Sequence, residues 1–233
     1  MKVSVVVPTY NRNLQLVRLL KSFEKLKEVI PIEIIIVDDS SNDETRITLE
    51  KWKNKKHKFK AKAIILDKNS GPAVARNAGI EEAIGDYIAF TDSDCIVSPY
   101  WIKHLKKSVM ENGELVGIGG RVLPLSNDIY SHYYTFHRIL EPPKTLKYLV
   151  SCNCIFNRKE ILYVKGFDED ILKPGGEDIG LSFKLYKKGM KFAFEESAIV
   201  YHDYRNSTRN FAKTFYNYGF GCRIVTEKYF GGK

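Results

Sequence analysis

Apolar residues follow two alternating rhythms along this chain, short unbroken runs and stripes at three- and four-residue spacing, which predicts strands joined by crossover helices. Val3-Ser-Val-Val-Val7 is a β-branched run ended by Pro8, giving a central strand and then a loop, Pro8-Thr-Tyr10-Asn-Arg12. Asn13 is a good N-cap, and Leu14, Val17, Leu20 and Phe23 then share a helical face to about Lys27. Residues 32–37 read as a second strand ending in Asp38-Asp39-Ser-Ser41, with a helix from Asn42 or Asp43 through Lys53. A third strand, Ala63 to Leu66, leads into Asp67-Lys-Asn69-Ser-Gly71-Pro72 and a helix of small residues around Arg76. Gly71 suits a close backbone approach and Pro72 a first helical turn.

Tyr87 to Phe90 is a fourth strand, free of charge, that runs into Thr91-Asp92-Ser93-Asp94. Open α/β sheets bind ligands at the carboxyl ends of their strands. Two carboxylates one residue apart repel unless a proton or a divalent cation neutralises them, so the triplet points to a magnesium or manganese site; a helix-capping turn is the plain alternative. Arg76 reads either as a fixed charge aimed at a phosphate or carboxylate, or as an exposed arginine.

Beyond residue 100 the order is less regular. A helix from Trp101 to about Met110 and a glycine-broken strand from Leu115 to Leu123 precede residues 124–148, rich in Tyr, His and Pro, which read as a helix and a long loop over part of the cleft. Leu149 to Phe156 resumes a strand with Asn153 at its centre, facing a substrate or satisfying backbone. Arg158 to Val164 is a short helix, after which the chain turns toward Pro174-Gly-Gly-Glu177-Asp178. The two acids open an amphipathic helix that ends at Gly189, as caps or, given the paired glycines, as carboxylates held above a cleft. Phe192 to Phe194 and Ala198 to His202 read as two short strands, with His202 a structural residue or a ligand. From Ser207 the pattern is helical, with Phe211, Phe215, Tyr218 and Cys222 on one stripe; Gly219 and Gly221 argue against a long continuous helix. The stripe reads as packing onto the domain, with an interfacial membrane helix or a dimer face as alternatives.

With 233 residues, 44% hydrophobic and 12% aromatic, the chain can bury one large core or two small ones. The amino terminus has no signal-peptide layout, and no apolar run approaches the ~20 residues of a membrane span. Cys95, Cys152, Cys154 and Cys222 lack C-x-x-C spacing, so reduced thiols in a cytosolic setting are expected and zinc is not. A formal charge of +9 favours anionic partners, among them nucleotide diphosphates, nucleic acid or acidic lipid headgroups. The lysine run from Lys51 to Lys62 reads as a solvated helix end and loop.

Five stretches, Val3 through Asn11, Ile36 through Ser41, Asn69 through Ala78, Ala89 through Asp94 and Gly176-Glu-Asp178, together resemble the inverting family 2 glycosyltransferases with the GT-A fold. The resemblance implies a Rossmann-like, mostly parallel central sheet with helices on both faces. It divides the chain into a nucleotide-sugar-binding half (1–123), an acceptor half with the catalytic base (124–204) and a basic, aromatic, amphipathic C-terminal helix (205–233). It assigns Pro8, Tyr10 and Asp39 to the nucleoside and lines the same pocket with Asn69, Arg76 and Ser93. It makes Asp92, Asp94 and His202 ligands of Mg2+ or Mn2+ and Asp178 the base, with Glu177 orienting the acceptor or capping its helix. The implied activity is hexosyl transfer from a UDP- or GDP-sugar to a sugar or lipid-linked acceptor, as in polysaccharide or glycolipid synthesis. Nucleic acid is not expected.

Processive members carry Gln-x-x-Arg-Trp, whereas Gln15 is the only glutamine here, so polymer synthesis is disfavoured. Relatives with a similar tail are often membrane-associated, which implies a cytoplasmic protein with peripheral contact at the inner membrane face through the C-terminal helix and basic surface. Two alternatives stay open. A sugar nucleotidyltransferase needs a glycine- and lysine-rich phosphate loop, and Pro8 to Arg12 holds no glycine. A non-catalytic nucleotide-sugar or nucleic-acid binding module would not need Asp178.

Overall fold

The computed structural model describes residues 1–171 and 175–231. Pro174 of the expected Pro-Gly-Gly turn and the last two residues of the expected C-terminal helix region lie outside them. The first half alternates as the hydrophobic rhythm requires: β1 (Val3–Thr9), α1 (Asn13–Phe23), β2 (Glu33–Asp38), α2 (Thr45–Lys53), β3 (Lys60–Ile65), α3 (Pro72–Glu82), β4 (Tyr87–Thr91). Strands β1, β2 and β4 are almost wholly buried, which is why their sequences are continuous apolar runs rather than alternations. Successive side chains still take opposite faces. Val5, Val7, Ile34 and Ile36 pack with α1, α2 and α4 (Trp101–Glu111) on one side, and Val6, Ile35 and Val37 with α3 and α7 (Glu177–Tyr186) on the other.

The remaining elements are β5 (Cys95–Val97), β6 (Leu115–Pro124), α5 (Ile129–Phe136), β7 (Asn153–Asn157), α6 (Arg158–Tyr163), β8 (Lys191–His202) and α8 (Thr208–Phe230). The eight strands of the described residues form one sheet in the order β3-β2-β1-β4-β7-β6-β8-β5. The block β3-β2-β1-β4 is parallel throughout, β7 is antiparallel to both neighbours, and β6 pairs β8 in parallel. The chain moves from β1 outward to β3 and then returns to the other side of β1 with β4. Strand order thus reverses between β1 and β4, and a crevice opens there at their carboxyl ends.

Several local expectations change. Strand β3 begins inside the lysine run, because an edge strand tolerates outward lysines; Lys62 pairs with the buried Glu33 at 2.9 Å. Residues 149–152 are not strand but lie against α7, where Leu149 N donates to Ser182 Oγ at 3.0 Å. The two short strands expected after residue 191 are one, β8, interrupted where Gly120 faces Glu195 but Arg121 faces Ile199. The three-residue β5 pairs with β8, Cys95 opposite His202, and joins the two-Asp turn to the histidine. Helix α8 is continuous through Gly219 and Gly221. A Cβ on Gly221 would overlap the Gly175 carbonyl oxygen, so the glycine lets the helix lie directly on the Gly175–Gly176 turn. No helix among the described residues is long and apolar enough to cross a membrane.

Of the two readings open for Asn153, a substrate contact and a buried amide that satisfies backbone, the structure has the second. Asn153 is 2% exposed; its Oδ1 accepts from Trp101 Nε1 at 2.8 Å, while its Nδ2 donates to Arg121 O and Ala198 O, each at 2.8 Å. The amide bridges the glycine-broken β6 and the β8 interruption, where ladder bonds are missing. Asn153→Ala should therefore lower stability by about 3 kcal/mol, because three buried partners lose their bond. Urea denaturation measures the loss, and nucleotide affinity of the folded variant should be unchanged.

Candidate active site

A cavity of about 650 Å³ occupies the crevice beside β1 and β4. Its walls bring together Pro8, Tyr10, Asp39, Asn69, Arg76, Asp92, Ser93, Asp94, Glu177, Asp178 and His202, which is every candidate from the sequence except Asn153. Asp178 and Asp94, 84 residues apart in number, share this one cavity.

The β1 and β2 ends form the first wall. Asp39 Oδ1 accepts from Ser70 N at 2.7 Å, and its Oδ2 accepts from Gly71 N at 2.8 Å and Asn69 Nδ2 at 3.0 Å. Gly71, at φ 92, adopts a conformation that presents its N–H to this carboxylate. Burial pushes the Asp39 carboxyl up, against the lowering pull of the two N–H bonds. Asp39 and Asn69 thus organise the loop before α3 and at the same time face the cleft.

Arg76 is not exposed. It is 3% accessible, with Nη2 2.7 Å from Asp92 Oδ1 and Nη1 2.9 Å from Glu177 Oε1, and its guanidinium carbon lies 5.5 Å from the Phe167 ring centre. Burial alone would lower its pKa; Asp92, Glu177 and Asp178 outweigh burial and raise it. Glu177, expected to orient an acceptor or cap α7, is itself buried and holds Arg76, while its Oε2 accepts from Gly175 N at 2.8 Å.

On the β4–β5 turn, burial pushes Asp92 up, opposed by Arg76 and aided by Asp94. His202 Nε2 lies 3.5 Å from Asp94 Oδ1, and its buried Nδ1 has no partner among the described residues. Asp94, Cys95 and His202 offer ligand atoms within 4.8 Å of one another. Carboxylate and imidazole suit Mg2+ or Mn2+ better than a thiol does, so Asp94 and His202, with Asp92 beside them, fit such an ion. The His202 ring is held by a stack: it lies 4.7 Å from Tyr204, which lies 4.3 Å from Tyr134 of α5.

Across the cleft, Asp178 accepts from Ser151 N at 3.1 Å. Burial first, and then the adjacent Glu177, push its carboxyl up to about 7. A carboxylate with that pKa can take a proton near neutral pH. Tyr134, Tyr148, Tyr204 and Tyr218 close this end of the cavity. Tyr134 and Tyr148 belong to the Tyr-rich segment expected over part of the cleft, Tyr218 to the helical stripe that reads as packing, and Tyr204 carried no signal in the sequence.

Residues 4–162, more than half of the chain, match the family model described as Glycosyl transferase family 2. The chain belongs to glycosyl transferase family 2. This family 2 glycosyltransferase is 34% identical over 134 residues to the poly(ribitol-phosphate) beta-N-acetylglucosaminyltransferase TarS of Staphylococcus aureus, covering 54% of the chain and 23% of TarS. It is 27% identical over 227 residues to the pre-mycofactocin glycosyltransferase of Mycobacterium tuberculosis, covering 92% of the chain and 46% of that protein. The chain spans less than half the length of either relative. Among solved structures it resembles the mannosyltransferase PcManGT from Pyrobaculum calidifontis, in complex with GDP-Man and Mn2+. That likeness has a TM-score of 0.80 and 16% identity over all of the chain and 65% of PcManGT. It also resembles residues 1–349 of S. aureus TarS in complex with UDP-GlcNAc, at a TM-score of 0.71 and 21% identity over 97% of the chain and 66% of that structure. The fold of the chain is GT-A.

The raised Asp178 pKa carries a stability consequence with a definite sign. Its carboxyl prefers the proton in the folded state, so its contribution to stability is full below 3.8 and is lost as pH rises through about 7. Asp178→Asn should melt higher than the parent at pH 8, by roughly 3 °C, and at the same temperature near pH 4. Calorimetric melts at the two pH values check the difference.

Proposed function

We propose that this glycosyltransferase moves a sugar from a nucleotide-diphosphate donor to an acceptor hydroxyl with inversion, assisted by Mg2+ or Mn2+, one sugar per encounter. The observation that carries the reading is the meeting of Asp39, the Asp92–Asp94 turn with His202, and Asp178 around one cavity. PcManGT in complex with GDP-Man and Mn2+, and TarS in complex with UDP-GlcNAc, support a UDP- or GDP-sugar donor.

In this reading residues 1–123 form the donor half and 124–204 the acceptor half. Pro8, Tyr10, Asp39 and Asn69 receive the nucleoside, and Asp92, Asp94 and His202 would hold a cation. Mg2+ or Mn2+ held there would supply positive charge to the departing diphosphate. Asp178 accepts the acceptor hydroxyl's proton as that oxygen bonds to the anomeric carbon and the bond to the diphosphate breaks; one such displacement inverts the centre. Glu177 does not share this role, because its carboxylate is held by Arg76.

Transfer from UDP-GlcNAc and GDP-mannose to a panel of sugar and lipid-linked acceptors, with Mn2+ or with chelator, tests the reading. The parent's turnover should rise about tenfold between pH 6 and pH 8, as a base of pKa near 7 ionises, and should stop on chelation. Asp178→Asn should abolish transfer and keep donor affinity. Turnover by that variant would reject the base, and indifference to chelation would reject the metal.

A further inference from the structure

We propose that a second cavity, about 390 Å³ in volume and set between α1 and the β5–β8 strand pair, is a ligand site for a small organic anion. The ligand it fits has an apolar body and a single phosphate or carboxylate group. This cavity shares no lining residue with the cleft. One wall is apolar: Ile96 and Tyr201, opposite each other in the β5–β8 pairing, with Val97 and Pro99 beside them. The other wall is α1 and the turn after it, which carry Arg18, Lys21 and Lys25. Hydrogen bonds join the two walls. Val97 N donates to Ser22 Oγ at 3.2 Å, and Lys27 N donates to Pro99 O at 2.8 Å, so the hollow lies between bonded elements of the fold.

Charge and shape together select the occupant. No carboxylate lines the cavity among the described residues. Arg18 pairs with Asp203, whereas Lys21 and Lys25 form no ion pair among the described residues. The acids of the same stretch are engaged elsewhere: Glu24 lies 2.6 Å from His57 Nδ1, and Glu28 pairs with Lys103. A helix C-terminus attracts cations, which accounts for lysines at this end of α1 but not for the apolar hollow opposite them. Like charges three and four residues apart repel, and an anion between them relieves that repulsion. Lysine stems lie along apolar surface while their ammonium groups reach a charged ligand, so the two walls suit the two ends of one amphiphilic molecule. Inorganic phosphate would leave the Ile96–Tyr201 wall in water, and a neutral body would leave the lysines unanswered. The volume falls within the roughly 300–1,000 Å³ of small-molecule sites, and the Lys27–Pro99 bond bounds one end against a polymer running through.

Asp203, which holds Arg18, directly follows His202, and its N–H donates to Asp94 O at 2.9 Å. The occupant therefore adjoins the strand pair that carries Asp94 and His202 without entering the cleft. The site does not depend on the glycosyl-transfer reading.

Isothermal titration of the chain with 1-naphthyl phosphate, 1-naphthoate, 1-naphthol and inorganic phosphate tests the site. At least one naphthyl anion should bind about tenfold or more tightly than either naphthol or inorganic phosphate, and the tighter of the two identifies the head group. Lys21→Glu with Lys25→Glu should weaken that binding by about tenfold or more, with an unchanged circular-dichroism melt. Should this variant fail to fold, amide chemical shifts of the parent decide: the anion should move Lys21, Ile96, Ser98 and Tyr201. Shifts confined to the cleft, equal binding of naphthol, or undiminished binding by the folded variant would overturn the proposal. So would the absence of binding, or a concentration-dependent dimer in light scattering that the lysine changes abolish. UDP titration of the same samples separates the two readings: lost nucleotide binding with retained naphthyl-anion binding counts against the donor site alone.

Discussion

One buried guanidinium holds the two sides of this cleft together. Arg76, on the helix after β3, bridges Asp92 at the end of β4 and Glu177 at the start of α7, 85 residues further on. A buried charge survives only when paired and hydrogen-bonded, and removing either partner leaves the other stranded. Asp92, Asp94, Glu177 and Asp178 all face the cavity, with Arg76 as the cation buried among them. That imbalance explains why Asp92 and Asp178 both sit above the ordinary carboxylate range: burial raises them, and one arginine offsets the repulsion only in part. A site with surplus negative charge on the β4–β5 turn is disposed toward a divalent cation, and a carboxyl raised to about 7 on the opposite wall is disposed toward proton transfer.

The fold puts these groups in reach of each other through its sheet order. Reversal between β1 and β4 leaves the carboxyl ends of β1, β2 and β4 pointing into one crevice, and β8 returns antiparallel to β5 so that His202 stands beside Asp94. Helix α8 completes the wall. Its Gly221 rests on the Gly175–Gly176 turn, and Tyr218 lies against Gly175, so the turn that carries Glu177 and Asp178 is braced from outside the sheet. A similar economy appears in the Tyr134–Tyr204–His202 stack, which connects the ring beside Asp94 to α5.

Much of this was legible in the residues because buried parallel strands and their polar exits leave local marks. The apolar runs of β1, β2 and β4, the two-Asp turn, and Gly-Gly-Glu-Asp could each be read within a few residues. What could not be read depends on partners far along the chain. Asn153 looks the same in sequence whether it faces a sugar or bridges β6 and β8; only the missing ladder bonds beside it decide. Cys95–Val97 is too short a run to announce a strand without β8 opposite. Gly221 signals a weak helix by propensity, and its contact with Gly175 is what turns the same residue into a fitted one. Arg76 likewise needed both of its acids in place before burial made sense.

The coupling between Arg76 and Glu177 is measured most directly by a double-mutant cycle with Arg76→Met and Glu177→Gln, read by urea denaturation. Each single change should be strongly destabilising, with the pair less so than the sum by about 2 kcal/mol or more. Losses that add to within about 0.5 kcal/mol would contradict a bridge between the two sides of the cleft.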